Sequence, residues 1–201
     1  EHVFSGCINL TSVIIPNSIT SIGEGAFISC SSLTSVTIPD SVTSIEEGAF
    51  SITKSLKSIN VNSNNQHYSS NDVALFNKDK TIILKAIEND IGEFTIPESV
   101  ITIGARAFTY WDNLTNVTIP DSVTRIERGA FLGCSSLSNI ILPDNITHIG
   151  ADSFWECDSL TSVTIPDSVT SIEQGAFGDC NSLASVTIPE GVTSIGDYAF
   201  F

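Results

Sequence analysis

The sequence predicts an α/β repeat solenoid, mostly β, and two observations carry that reading. Proline recurs at a spacing of 23 residues, at Pro16 and Pro39 and again at Pro97, Pro120, Pro143, Pro166 and Pro189. Phe27, Phe50, Phe108, Phe131, Phe154, Phe177 and Phe200 keep a second fixed phase, mostly following an Ala. A period of this kind marks stacked units, none of which buries its apolar face alone.

The stretch from Leu33 to Phe50 gives the elements in order. Val36 and Ile38 are two apart and face one side of a strand, so Ser35 and Thr37 face the other. Pro39-Asp40-Ser41 reads as a turn, because Pro fixes φ and Asp can bond its own backbone two residues on. Val42 and Ile45 then make a second short extended segment. Glu47-Gly48-Ala49-Phe50 is expected as a tight turn or a short helical turn. Stacked at about 4.8 Å per unit, about eight units give a solenoid roughly 40 Å long with continuous Leu, Val, Ile, Ala, Phe and Cys ladders inside. One irregularity interrupts the period: 58 residues separate Pro39 from Pro97, where 23 plus 35 are accommodated. Asn62 takes the place of the proline, and the unit 62–97 is 12 residues longer, with a hairpin expected from Ala74 to Ile87. No linker is visible, so residues 1–201 read as a single domain.

Composition narrows the function. The chain has 201 residues, 8 Lys+Arg against 23 Asp+Glu, and a net charge of −15. Phosphate recognition needs clustered cations, so nucleic acid and anionic membrane surfaces are not expected partners. No apolar run reaches the roughly 20 residues that span a bilayer.

The phrase Leu-Thr-Ser-Val-Thr-Ile-Pro-Asp-Ser-Val-Thr-Ser-Ile occurs at 33–45 and again at 160–172, and Gly-Ala-Phe-x-x-Cys follows at 175–180. These residues resemble the BspA-type leucine-rich repeat, over essentially the whole chain. The long unit resembles the irregular repeat of that family through Tyr68-Ser69-Ser70 and Leu75-Phe76-Asn77-Lys78-Asp79-Lys80, with Val73-Ala74 where Gly and Val are usual. The resemblance implies a right-handed leucine-rich-repeat solenoid. One parallel strand per unit would line its concave face, with second short strands and short helical turns opposite. It further implies a surface-attached or secreted protein that adheres to matrix proteins or to other cells.

Candidate sites follow from phase. No Ser-His-Asp grouping, H-E-x-x-H, G-x-S-x-G or phosphate loop occurs, and neither enzymatic activity nor a cofactor is expected. Cys7, Cys30, Cys134, Cys157 and Cys180 share one phase, filled elsewhere by Thr53 and Trp111. That equivalence favours buried free thiols, with a bridge such as Cys134–Cys157 as the alternative. Asp121, Asp144, Asp167 and Glu190 follow successive prolines, about 5 Å apart once stacked. Turn chemistry explains them, and divalent-cation binding is the weaker reading.

The outward strand positions Ser35, Thr37, Asn60, Asn116, Thr118, Ser162, Thr164, Ser185 and Thr187 form a hydrogen-bonding surface suited to a partner. Ile14 and Ile141 interrupt it. Lys54, Lys57, Lys78, Lys80 and Lys85 gather around the long unit with His67, Tyr68 and Phe76. They read as an electropositive docking spot or as a solvated hairpin. Trp111 is expected in the core, whereas Tyr110 and Trp155 are expected to be exposed anchors. Glycosylation sequons stand at Asn9, Asn113, Asn116 and Asn145.

Both ends fall in one phase of the repeat without polar caps, as in a fragment of a longer array. The function expected is a non-catalytic adhesion module, at the cell surface or secreted, that binds extracellular proteins or glycans. The alternative is a structural unit that stacks head to tail on its own copies into a filament or matrix.

Overall fold

The computed structural model describes residues 1–201. Their contacts gather into two compact units, Glu1–Glu88 and Asn89–Phe201. Each is a run of β-solenoid coils, about eight in all, and neither contains a helix.

The first unit holds β1 (Ser12–Val13), β2 (Ser21–Ile22), β3 (Ser35–Ile38), β4 (Ser44–Ile45) and β5 (Ser58–Val61). After them come β6 (Tyr68–Ser70), β7 (Ala74–Asn77) and β8 (Ile82–Ala86). The second unit holds β9 (Glu93–Thr95), β10 (Thr102–Ile103), β11 (Asn116–Thr118), β12 (Arg125–Ile126) and β13 (His148–Ile149). It closes with β14 (Ser162–Thr164), β15 (Ser171–Ile172), β16 (Ser185–Thr187) and β17 (Ser194–Ile195). Parallel pairing follows the repeat: Val36 lies opposite Ile59, Asn116 opposite Glu93, and Ser162 opposite Ser185. The second strands pair in the same register, Ser21 with Ser44 and Ser171 with Ser194. The turn after a first strand closes by a bond from the third residue onward to the proline carbonyl, as Val42 to Pro39 at 3.3 Å and Val169 to Pro166 at 3.0 Å, and after β5 to the Asn62 carbonyl from Asn65 at 2.9 Å.

The helical turns expected at Gly-Ala-Phe are absent, and the backbone bonding supplies the reason. Along this ridge alternate N–H groups point two ways. Ala130, Leu132 and Cys134 donate locally, to Glu127, Gly129 and Phe131 at 3.1–3.2 Å. Gly129, Phe131 and Gly133 donate instead to Ala151, Ser153 and Trp155 of the next coil, at 2.7–2.9 Å. An α-helix directs every interior N–H to its own chain four residues back, so it cannot share half of them with a neighbour. The alternation requires left-handed backbone at two positions per coil, such as Gly129 (φ 59) and Gly133 (φ 72). Where the residue is not Gly, as at Tyr110 (φ 55) and Asp152 (φ 55), it holds a conformation that L-residues rarely adopt.

Phe rings stack behind the ridge. In the first unit Phe4, Phe27 and Phe50 lie 5.3 and 5.4 Å apart between centroids. In the second, Phe108, Phe131, Phe154, Phe177 and Phe200 follow at 4.8–5.5 Å. Such stacked pairs add to burial about 0.5–1.5 kcal/mol each. The Ala column beside them leaves room for the backbone, but Ser153 stands in it with a buried hydroxyl that has no hydrogen-bond partner.

The long unit departs from the expected simple hairpin. β6, β7 and β8 form an antiparallel meander, and Ala74, Leu75 and Phe76 of β7 are all buried. The hairpin is therefore part of the core of its unit and is not a solvated flap.

Phe154→Ala removes a ring stacked on both sides, and the expected loss is about 3–5 kcal/mol of unfolding free energy. Ser153→Ala removes an unsatisfied buried hydroxyl, and the unfolding midpoint in urea should stay level or rise.

Candidate functional site

The strand faces carry the outward residues as the pleat dictates. In the first unit Thr37 and Asn60 are exposed and Ser35 is half-buried. In the second, Asn116, Thr118, Ser162, Thr164, Ser185 and Thr187 are exposed, while Val117 and Val163 between them are buried. Residues 139–142 form no strand at the level between β11 and β14, and Ile141 is 74% exposed where other coils carry Thr. A cavity of about 250 Å³ opens there, lined by Asn139, Ile141, Asp144, Ser162 and Thr164 among others.

A second set of hydroxyls, one position before the strands, is consumed by the fold. Thr34, Thr115 and Thr161 donate to the carbonyls of Thr11, Gly92 and Ser138, one repeat earlier. Thr43, Thr147 and Thr193 do the same before the second strands. Ser41 and Ser122 reach Ile19 and Val100 in the preceding coil.

The acidic residues after proline do not act as expected. Asp121, Asp144, Asp167 and Glu190 are exposed, and the turn is closed by the proline carbonyl with no part for their carboxylates. No three His, Cys, Asp or Glu side chains come together as a metal-holding group.

The lysines divide. Lys54 and Lys57 are exposed on the loop before β5, and Lys78 and Lys80 are exposed at the β7–β8 hairpin. The Lys78 ammonium donates to the Asn65 carbonyl. Lys85, grouped with them from sequence, is 3% exposed within β8 and belongs to no surface island. Tyr68 is half-buried and its hydroxyl accepts from the Ile45 N–H at 2.7 Å, so it ties two coils together. Burial pushes its phenol up.

Tyr110 and Trp155, expected as exposed anchors, are half-buried. Each ring closely approaches a glycine of the next coil: a Cβ on Gly133 would stand 2.3 Å from the Tyr110 ring, and one on Gly178 would stand 2.4 Å from the Trp155 ring. The sequence signal was present, an aromatic followed by Gly one repeat later. Trp111 is buried and its indole N–H donates to Asn113 at 2.7 Å. Of the sequons, Asn9 and Asn116 are exposed without such ties, whereas the Asn113 and Asn145 amides already donate to Asn89 and Asp121.

The cysteines are free, and four are buried; Cys7 is exposed, against expectation. Each buried thiol donates to a Phe carbonyl of the preceding coil, as Cys134 to Phe108 at 3.2 Å and Cys180 to Phe154 at 3.2 Å. Thr53 in the same slot bonds Phe50 within its own coil. Burial pushes the Cys157 thiol well up, and the Cys180 thiol up to about 11, with Asp158 and Asp179 adding to it. His148 sits on β13 between Glu127 and Glu173, at 3.7 and 3.6 Å.

A family profile described as the BspA type leucine rich repeat region matches in six copies over residues 1–89 and 80–201. The chain belongs to the BspA-type leucine-rich repeat family. Among solved structures it is similar to a leucine-rich repeat protein from Eubacterium ventriosum, at 27% identity and a TM-score of 0.67. That likeness covers 100% of this chain and 78% of the other. The pneumococcal vaccine antigen PcpA, at 22% identity and a TM-score of 0.80, shares the fold over 95% of this chain and 55% of its own. A leucine rich cell surface protein from Faecalibacterium prausnitzii is 25% identical at a TM-score of 0.57, over 92% of this chain and 62% of that one. A search of curated protein sequences gives no significant match. No helix of this BspA-type chain is long and apolar enough to cross a membrane.

The buried thiols make a pH-dependent prediction. From about pH 9 to pH 11 an unfolded Cys180 loses its proton while the folded one keeps it, so alkaline pH favours unfolding. The urea midpoint should fall more steeply over that window in the native chain than in Cys180→Ala. At neutral pH an alkylating reagent should label Cys7 quickly and the other four only after unfolding.

Proposed function

We propose that this chain is a non-catalytic interaction module of a bacterial cell-surface or secreted protein, binding protein or glycan partners through its strand faces. Its coils wind right-handed, the sense taken by almost all connections between parallel strands. The reading rests on the exposed Asn116, Thr118, Ser162, Thr164, Ser185 and Thr187, an uncharged row on strands fixed by parallel pairing. Such a row offers donors and acceptors without the desolvation that charged groups would impose. The bacterial cell-surface protein among the structural relatives supports the location. The cavity beside Ile141 adds an apolar contact within the polar row. Lys54, Lys57, Lys78 and Lys80 of the first unit form a second contact, for acidic groups of a partner.

The test is binding to arrayed matrix proteins and glycans. Thr118→Lys, Thr164→Lys and Thr187→Lys together change exposed positions only, and should weaken capture by about tenfold or more. Unchanged capture by a folded variant removes the strand face from the binding surface. Replacing the four lysines by Ser should lower affinity and flatten its salt dependence.

A second reading, end-to-end self-association, is favoured by one observation. A cavity of about 310 Å³ lined by Val3, Phe4, Val13, Ile14, Ile15 and Phe27 among others leaves apolar side chains open in the first unit. Sedimentation velocity over a hundredfold range of concentration decides it. Growth with concentration, abolished by Ile14→Glu, supports self-stacking; a constant monomer ends it.

A further inference from the structure

The ridge of the second unit carries a notch made by two glycines. Asp152, Gly175 and Tyr198 stand one repeat apart, all in left-handed backbone (φ 55, 63 and 59). Gly178 follows Trp155 at the same interval. Neither glycine can gain a side chain in place. A Cβ on Gly175 would lie 2.5 Å from the Asp152 carboxylate and 2.7 Å from the Trp155 ring. The glycine coil is therefore low and the Trp155 ring leans over it. Tyr198, 59% exposed, belongs to the coil beyond.

The result is an open cavity of about 340 Å³ lined by Leu132, Asp152, Trp155, Glu156, Gln174 and Tyr198. It holds two aromatic rings, two carboxylates and no cationic lining residue. The Glu156 carboxylate also lies near the Tyr110 phenol, which burial first and then this negative charge push up. Arg128 reaches the Asp152 carboxylate at 3.3 Å, in a pair whose side chains are 60% and 30% exposed. Arg128 thus partners one of the two carboxylates, in an exposed pair that contributes little and yields easily to a second cation. Ring faces attract cations through the quadrupole, and carboxylates set the sign of the occupant.

We propose that this notch receives the cationic side chain of a lysine or arginine from a partner protein. Its charge meets Asp152 and Glu156, and its methylene stem lies between the Trp155 and Tyr198 rings. The occupant follows from charge complementarity, since the lining is acidic and aromatic and the chain as a whole carries −15. The inference rests on the reading of the chain as an interaction module and adds the chemistry of one contact on a different face.

Indole N–H resonances test it, because the chain has two Trp and only Trp155 borders the notch. Buried Trp111 serves as the internal control of fold. Nα-acetyl-lysine methylamide should shift the Trp155 resonance saturably and leave Trp111 in place. The neutral norleucine analogue should not. Tyr198→Ala, and separately Glu156→Gln, should weaken the response about three- to fivefold with the Trp111 signal unmoved. The proposal is overturned by an equal response to the norleucine analogue, by no response to lysine, or by undiminished binding in both variants. If the strand-face lysine variants still lose partner capture, the interaction reading stands and only the notch assignment fails.

Discussion

Each coil of this protein completes its hydrogen bonding only through the next. On the turn ridge every second N–H leaves its own coil, as Gly25, Phe27 and Ser29 do toward Glu47, Ala49 and Ser51 at 2.8–3.2 Å. A coil without its neighbour would leave those donors unpaired, and each buried one costs about 1–3 kcal/mol. The stacking is thus obligatory, and other features of the repeat are conditions for it. The ridge must be narrow, so Gly and Ala occupy it. Its inner side must fill a constant cross-section, so Phe rings stack there in parallel.

The same constraint sorts the polar residues. A hydroxyl or thiol one repeat from a carbonyl becomes a rung of the ladder, which uses the Thr before each strand and the buried Cys. The residues left outside the ladder are those that point away from every rung: the outward strand residues and the rims of the ridge. Ridge rings lean over the following coil, where glycine leaves them room: Tyr110 covers Gly133 and Trp155 covers Gly175 and Gly178, and the second ring borders the acidic, aromatic notch.

The long unit keeps the ladder going by replacing backbone with asparagine. Asn65 is fully buried, and its amide donates to Pro39 and Val42 while its carbonyl oxygen accepts from His67 and Tyr68. Asn71 and Asn77 accept pairs of backbone N–H groups at the two ends of β7. Tyr68 supplies the rung to Ile45 that a second strand would otherwise give. These contacts let the added residues form a buried meander inside the first unit.

The sequence by itself determined the repeat, its register, the parallel pairing and the inner and outer positions, because a fixed period converts one strand pattern into every other. Val36 opposite Ile59 and Ser162 opposite Ser185 were legible from spacing alone. Only the tertiary structure decided where the backbone donors go. A segment such as Gly-Ala-Phe fits a helical turn as well as a shared ridge, and the neighbouring carbonyls select between them. It also decided that Tyr68 and Lys85 turn inward, that Cys7 is exposed, and that Trp155 lies on glycine beside Tyr198. Those outcomes depend on residues one repeat away in sequence and in contact in space, where the identity of one side chain fixes the room left for another.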